Sequence, residues 1–221
     1  MTAMGDHAAR AMYPVFVDLA GRRCVVIGGG PVAEGKVNGL LAAGALVTVV
    51  SPTLTPALAD AARAGRIGHR RRAYHESDLA GAVLAFVATA DVAVNAAVAA
   101  DGRRRGLLVN AADDPRHCDF ILPSVLRRGA LAVAVSTGGA SPALARAVRQ
   151  EIERTIGDDY ATLVDVAGDV RRALRAEGRT VDAATWSAAL GDRRFRRLVA
   201  RGAHAAARRR LRAHLTAVAA C

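Results

Sequence analysis

Lysine is almost missing from this chain. Of its 31 basic residues Lys36 is the only lysine, and an arginine bias so uniform reads as genome composition rather than as selection at any one site. Aromatic residues are scarce as well, at 4%, which argues against an aromatic-cored β-sandwich and for parallel strands covered by Ala-rich helices. Cys24, Cys118 and Cys221 are odd in number, far apart and outside any CxxC spacing. They suggest neither a disulfide framework nor a zinc site, and a reducing compartment fits. The longest apolar run, Ala82 to Ala88, falls far short of the ~20 residues a membrane helix needs. The stretch Met1 to Met12 lacks the apolar segment of a secretory signal. The expectation is a soluble, cytoplasmic protein with no membrane partner.

What the chain does have is 221 residues, 52% of them hydrophobic, enough for a packed core. Its net charge of +11 invites a polyanion: nucleic acid, an anionic surface, or a small molecule with several carboxylates or phosphates. The excess is spread along the chain, with no basic tail to single out one of these.

Cys24 to Ile27 is a short apolar run that ends in Gly28-Gly29-Gly30, and Val32, Lys36, Leu40 and Leu41 follow at helical spacing until Gly44. Leu46 to Val50 is the next strand, ended by Pro52, and Thr55 to Ala64 a short helix stopped by Gly65. Ile67 to Tyr74 has the alternation of a strand, Val83 to Ala88 that of a fully buried one, Val92 to Arg105 is an Ala-rich helix, and Leu107 to Val109 another buried strand. Strands alternating with helices at these intervals specify an α/β fold, a Rossmann-like doubly wound parallel sheet. From Asp113 the pattern changes. Phe120 to Pro123, Leu126 and the alternating Leu131 to Val135 read as two strands around a turn at Arg128-Gly129, and everything past Ser141 reads as helix, with a helical C-terminal domain at 151–221.

Gly28-Gly29-Gly30-Pro31-Val32-Ala33 fits G-x-G-x-x-G/A between a strand and a helix. Gly28 makes the tight turn, Gly30 lets the backbone approach a pyrophosphate, and Ala33 permits close helix–sheet packing. The helix start supplies free N–H donors to the phosphates. After the second strand, where an acid usually holds the adenine ribose, stands Ser51-Pro52-Thr53. A hydroxyl bonds a ribose 2′-OH, whereas a 2′-phosphate calls for an arginine, and the next in the chain is Arg63; NAD is therefore favoured over NADP. Asp113 and Asp114 follow the last buried strand, at the sheet edge where α/β folds place ligands. Adjacent carboxylates repel, so one of them is a candidate to titrate near neutrality; the alternative is a turn in which Asp caps a backbone N–H before Pro115. Ser136-Thr137-Gly138-Gly139-Ala140-Ser141-Pro142 ends a strand and opens a helix, with Ser141 as N-cap and Pro142 at the first position. It reads either as an anion site for a substrate carboxylate or as an ordinary capped turn. His117 stands near Asp113 in a polar loop, where a histidine is most often simply solvated. The arginines at 193–194, 196–197 and 208–210 surround Trp186, Phe195 and Leu198, either as a solvated helix face or as a lure for a polyanionic substrate.

Met12 to Phe16 with Asp18-Leu19, the Val26 to Gly30 turn with Val32-Ala33 and Lys36, Val109-Asn110 with Asp113 and Pro115, Phe120-Ile121 with Pro123-Ser124, and Val133 to Gly139 with Ser141-Pro142 together resemble the precorrin-2 dehydrogenase family of siroheme biosynthesis, over residues 12–152. The resemblance implies a homodimer with an NAD-binding domain at 12–112, a dimerisation and substrate element at 113–150, and helices beyond. It implies NAD-dependent oxidation of precorrin-2 to sirohydrochlorin, on a siroheme or cobalamin branch. Some members also insert iron, and there one aspartate, corresponding to Asp113, serves both reactions. Carried over, Asp113 is the acid/base; Pro31, Val32, Pro52 and Thr53 line the NAD site; Ser136, Thr137, Gly138 and Ser141 meet the substrate; and no metal ligand set is implied. Phosphorylated members carry serine where Thr137 stands. The methyltransferase domain of longer members is not in the sequence, so formation of precorrin-2 is expected to fall to another protein.

A rival from another class is a regulator that reports NAD/NADH to an arginine-rich DNA-binding region. The chain shows neither a helix-turn-helix pattern nor aromatics interleaved with its arginines, so no nucleic-acid partner is expected.

Overall fold

The computed structural model describes residues 12–112 and 114–217, in two compact units that divide between Ile121 and Leu122. The first unit contains β1 (Arg23–Ile27), α1 (Pro31–Ala42), β2 (Leu46–Val50), α2 (Pro56–Arg63), β3 (Gly68–Arg70), β4 (Leu84–Val87), α3 (Val92–Arg104) and β5 (Leu108–Ala111). All strand pairs are parallel, in the order β3-β2-β1-β4-β5. The chain winds outward from β1 to β3, then crosses back to lay β4 against the other side of β1. Ile27 is level with Val50 on one side and Val87 on the other, and Val87 with Ala111, so the carboxyl ends of these strands form one even edge.

Alternation along the strands builds two cores. Cys24 and Val26 of β1, Val47 and Val49 of β2, and Phe86 of β4 pack with Ala33 and Val37 of α1 and Leu58 of α2. Val25, Ile27, Ala85, Val87 and Val109 point the other way, onto Val98 of α3. A sheet covered on both faces needs apolar residues at nearly every position, which is why these strands read as near-continuous apolar runs, broken only by Thr48 in β2 and Asn110 in β5. The outer strand is shorter than the alternation of Ile67 to Tyr74 suggests. Past Arg70 the chain bends so that Arg70 and Arg72 both reach Asp78, whose side chain is fully buried; Arg72 bonds both its carboxylate oxygens at 2.7 Å. A buried carboxylate demands its partners, and here that demand outweighs strand continuation.

The second unit holds the antiparallel pair β6 (Ser124–Arg128) and β7 (Leu131–Val135), followed by α4 (Pro142–Thr155), α5 (Asp159–Ala176), α6 (Ala183–Gly191), α7 (Arg193–Ala200) and α8 (His204–Ala217). α4 lies on both strands, while α5 to α8 close around Val166, Val170, Phe195, Leu211 and Leu215. Much of the arginine density is tied down within the unit. Arg208 pairs with Asp169, Arg212 with Glu177, and Arg210 donates to both oxygens of Asp192, while Arg196 lies over the Tyr160 ring at 4.7 Å.

Candidate functional site

The glycine turn joins β1 to α1 at the even carboxyl edge. Gly28 has φ +117°, and a Cβ there would strike the Ala88 carbonyl at the end of β4; a Cβ on Gly29 would strike the Thr53 carbonyl after β2. Gly30 is different: a side chain would meet nothing within 4 Å. The first two glycines let three strand ends crowd together, and the third leaves the backbone open on the outer side. Gly29, a free position in the sequence motif, is thus as constrained as Gly28. Ala33 is fully buried, as close helix–sheet packing requires.

The helix behind the turn keeps its N-terminus open. In the same unit Thr55 caps α2 and Asp91 caps α3 through their side chains, whereas α1 starts from Gly30 with no side-chain cap and with Pro31 in its first turn. Unpaired N–H groups at the positive end of the helix dipole are what an anionic phosphate binds. The residues therefore fit the pyrophosphate of a dinucleotide: a cradle too tight for any Cβ, followed by open space and uncapped donors.

Beside the turn, Ser51 is buried, and Pro52 and Thr53 are exposed. Ser51 N donates to Arg70 O at 3.2 Å and its carbonyl accepts from His69 Nε2 at 3.0 Å. Pairing of β3 thus brings Arg71, exposed, to the end of β2, a neighbour that sequence distance hides. A carboxylate also reaches this loop, although not from β2: Glu34 of α1 accepts from Thr55 Oγ1 at 2.8 Å.

Between the ends of β1, β4 and β5 lies a pocket of about 490 Å³, with Val32, Ala88, Ala90, Val92 and Ala112 as apolar wall and Thr89, Asn95, Asp114 and Arg116 as polar wall. It occupies the point where the strand order reverses, the usual ligand crevice of such sheets. Asn95 was not singled out by the sequence; its only signal is a lone amide in the Ala/Val-rich first turns of α3.

Asp113 lies outside the described residues; its neighbours Ala112 and Asp114 are both in the pocket wall. The chain that carries them is closed at its neck. Asn110 Nδ2 donates to Phe120 O at 2.8 Å, Asp119 Oδ2 accepts from Val109 N at 2.9 Å, and Cys118 Sγ donates to Ala111 O at 3.1 Å. Burial pushes the Cys118 thiol pKa up, so it serves here as a neutral donor. Asp114 accepts from His117 Nδ1 at 2.6 Å, and that bond holds its carboxyl below the ordinary carboxylate value. Asp114 is therefore kept ionised at neutral pH, and His117 is its partner.

In the second unit, the turn before α4 satisfies itself. Thr137 Oγ1 accepts from Ser141 N and donates to Ser141 O, both at 3.0 Å; Ser136 Oγ accepts from Gly138 N at 3.1 Å; and Ser141 Oγ caps Leu144 N at 3.1 Å. Gly138 and Gly139 both take positive φ to close it.

An NAD(P)-binding family model matches residues 15–124, and the model described as "Sirohaem biosynthesis protein central" matches residues 128–155. The chain is 45% identical over 162 residues to a siroheme synthase of Methylobacillus flagellatus, covering 73% of this chain and 35% of that one. It is 43% identical over 171 residues to a siroheme synthase of Chromobacterium violaceum, covering 77% and 36%. It thus spans about a third of the length of these curated relatives. Among solved structures it is similar to SirC, a precorrin-2 dehydrogenase, with a TM-score of 0.69 and 30% identity, covering 84% of this chain and 92% of that one.

Proposed function

This chain belongs to the precorrin-2 dehydrogenase family, whose likeness extends to about a third of the length of siroheme synthases, and we propose that it oxidises precorrin-2 to sirohydrochlorin with NAD. The observation that carries this reading is the joining of two features: an uncapped α1 N-terminus behind glycines that admit no side chain, and a pocket opening from it at the β1/β4 switch point.

The chain's residues divide the work. The N–H groups of Gly30 and Val32, with Pro31 between them lining the site without a donor, bind and orient the pyrophosphate, and Gly28 keeps the turn narrow enough to aim them. Ser51, Pro52 and Thr53 take the adenine ribose. Val32, Ala88 and Ala112 form an apolar wall that excludes water from the reacting face. NAD held there would supply the hydride acceptor for a saturated carbon of the substrate. Asp113 takes the accompanying proton, a role that rests on the family resemblance and on its place between two residues of the pocket wall. Ser136, Thr137, Gly138 and Ser141 are read as substrate contacts by the same resemblance; Ser136, whose oxygen accepts from Gly138 N, still has its own hydrogen to give a carboxylate. The substrate carries several carboxylates, so the net charge of +11 assists its approach.

NAD is preferred to NADP in this reading because Glu34 brings a negative charge to the loop after β2, which opposes the attraction that exposed Arg71 at the end of β2 offers a 2′-phosphate. We read the chain as a homodimer in the cytoplasm. Two strands alone make a marginal sheet, and β6–β7 pairs with no further strand among the described residues, so a second copy is the natural complement. The three functional parts are then 12–112 for NAD, 113–150 for dimerisation and substrate, and 151–221 for the helices.

The test is to incubate the purified protein with precorrin-2 and NAD and to follow NADH and the sirohydrochlorin spectrum together. Equal rates of appearance are expected, and NADP should support a slower reaction. Absence of both signals overturns the proposal. Fe²⁺ or Co²⁺ added to sirohydrochlorin without NAD reads out metal insertion separately.

A further inference from the structure

Of the buried side-chain polar atoms that find no partner among the described residues, only Asn95 Oδ1 belongs to a residue of the pocket wall. Asn95 is 6% exposed. Its Nδ2 donates to Thr89 O at 3.4 Å, and this contact decides which way the amide is turned. The end that can donate goes to the β4–α3 loop, and the end that can only accept is left over. The backbone around it offers nothing more: Asn95 N is used on Asp91 O, and Ala93 N and Val94 N on the Asp91 side chain. A buried acceptor without a donor is costly, and native structures leave few of them. A donor from a ligand removes the cost.

The surroundings narrow down which donor. The pocket begins at Ala88, whose carbonyl abuts Gly28, so it adjoins the pyrophosphate turn on the side away from β2. With the adenine ribose at β2, the half of the dinucleotide left for this pocket is the nicotinamide nucleoside. A mostly apolar wall on which Asn95 is the one side-chain amide suits a flat ring that carries a carboxamide, whose nitrogen has hydrogens to donate. Resting on the dinucleotide reading above, we propose that Asn95 is the specificity residue for the nicotinamide carboxamide, accepting its N–H on Oδ1 and so fixing which face of the ring is turned to the substrate.

The test measures binding rather than turnover. The full chain is titrated calorimetrically with NAD, with the acetylpyridine analogue, in which a methyl group replaces the carboxamide nitrogen, and with ADP-ribose, which lacks the ring. Wild type should bind NAD about tenfold more tightly than the analogue, about 1.4 kcal/mol. Asn95→Ala should bind the two alike while holding ADP-ribose as wild type does. Asn95→Asp keeps an acceptor and should keep the preference, which leaves the idea falsifiable if the alanine variant does not fold. A preference that survives in Asn95→Ala, is lost in Asn95→Asp, or is absent from wild type overturns the assignment. If neither NAD nor ADP-ribose binds wild type, the dinucleotide reading itself falls, and this proposal with it.

Discussion

The side-chain amide of Asn110, at the carboxyl end of β5, donates to the backbone carbonyl of Phe120 at 2.8 Å. That bond closes the neck of the turn on which Asp113 and Asp114 are carried, and it sets Phe120 edge-on to Phe86 of β4, with centroids 5.4 Å apart. Lys36 of α1 stands over the same Phe86 ring at 5.9 Å. One buried amide thus ties the segment that follows β5 back to the sheet.

Asn110→Ala should therefore affect stability and catalysis together. Leaving the Phe120 carbonyl without its donor costs about 1–3 kcal/mol, visible as a lower urea midpoint. Turnover should fall while NAD affinity holds. Loss of NAD affinity with unchanged turnover would show that the neck does not position the turn for chemistry.

The three glycines should separate into two kinds. Gly28→Ala and Gly29→Ala meet backbone carbonyls and should lower thermal stability markedly. Gly30→Ala has room in the folded chain and a φ of −87° that alanine adopts freely, so it should melt like wild type yet bind NAD at least roughly tenfold more weakly, because its methyl stands where the pyrophosphate approaches. Differential scanning fluorimetry with and without NAD distinguishes these outcomes.

The two aspartates should also part. Asp113→Asn should lower kcat by about 10²–10⁴-fold with little change in NAD affinity. Asp114, kept ionised by His117, has no proton to exchange near neutrality. Asp114→Asn should leave the pH–rate profile with its acidic limb, and Asp113→Asn should abolish that limb. A limb that persists in Asp113→Asn assigns it to another group.

Asp78 makes the fold sensitive to acid. Burial pushes its pKa up, but hydrogen bonds from Arg72, Arg70 and the His75 N–H more than reverse this and hold the carboxyl well below its usual range. A native pKa below the unfolded value of about 3.9 means that the contribution is complete above that value and is lost as the pH falls through the native one. Asp78→Asn should cost about 3 kcal/mol at neutral pH, the low end for a broken buried pair because Arg70 and Arg72 are partly exposed and can return to water. The gap from wild type in urea unfolding should narrow below about pH 4; a gap that widens there would contradict the sign.

By itself the sequence determined whatever depends on near neighbours along the chain. The apolar runs at 24–27 and 84–87, and Val47, Val49 and Val50 of the run at 46–50, are buried and need no partner to be recognised. Thr55, Asp91 and Ser141 announce their helices because an N-cap bonds within its own first turn, and Gly28 to Ala33 form a motif because the phosphate turn is local. Even the open end of α1 is legible, since Gly30 has no side chain with which to cap it.

The tertiary structure alone decided what depends on distant segments meeting. Gly29 is obligatory only because Thr53 arrives beside it, and Gly28 only because Ala88 does. β3 stops at Arg70 because Asp78, once buried, takes the arginines on either side of the strand end. Arg71 and Glu34 come to the loop after β2 through strand pairing and helix packing, not through proximity in sequence. Asn95 looks like any polar residue on a helix until the β4–α3 loop uses one end of its amide and burial leaves the other without a partner among the described residues. Hydrogen-bond satisfaction is a property of the enclosed site, and no residue's identity encodes it before the chain has closed around it.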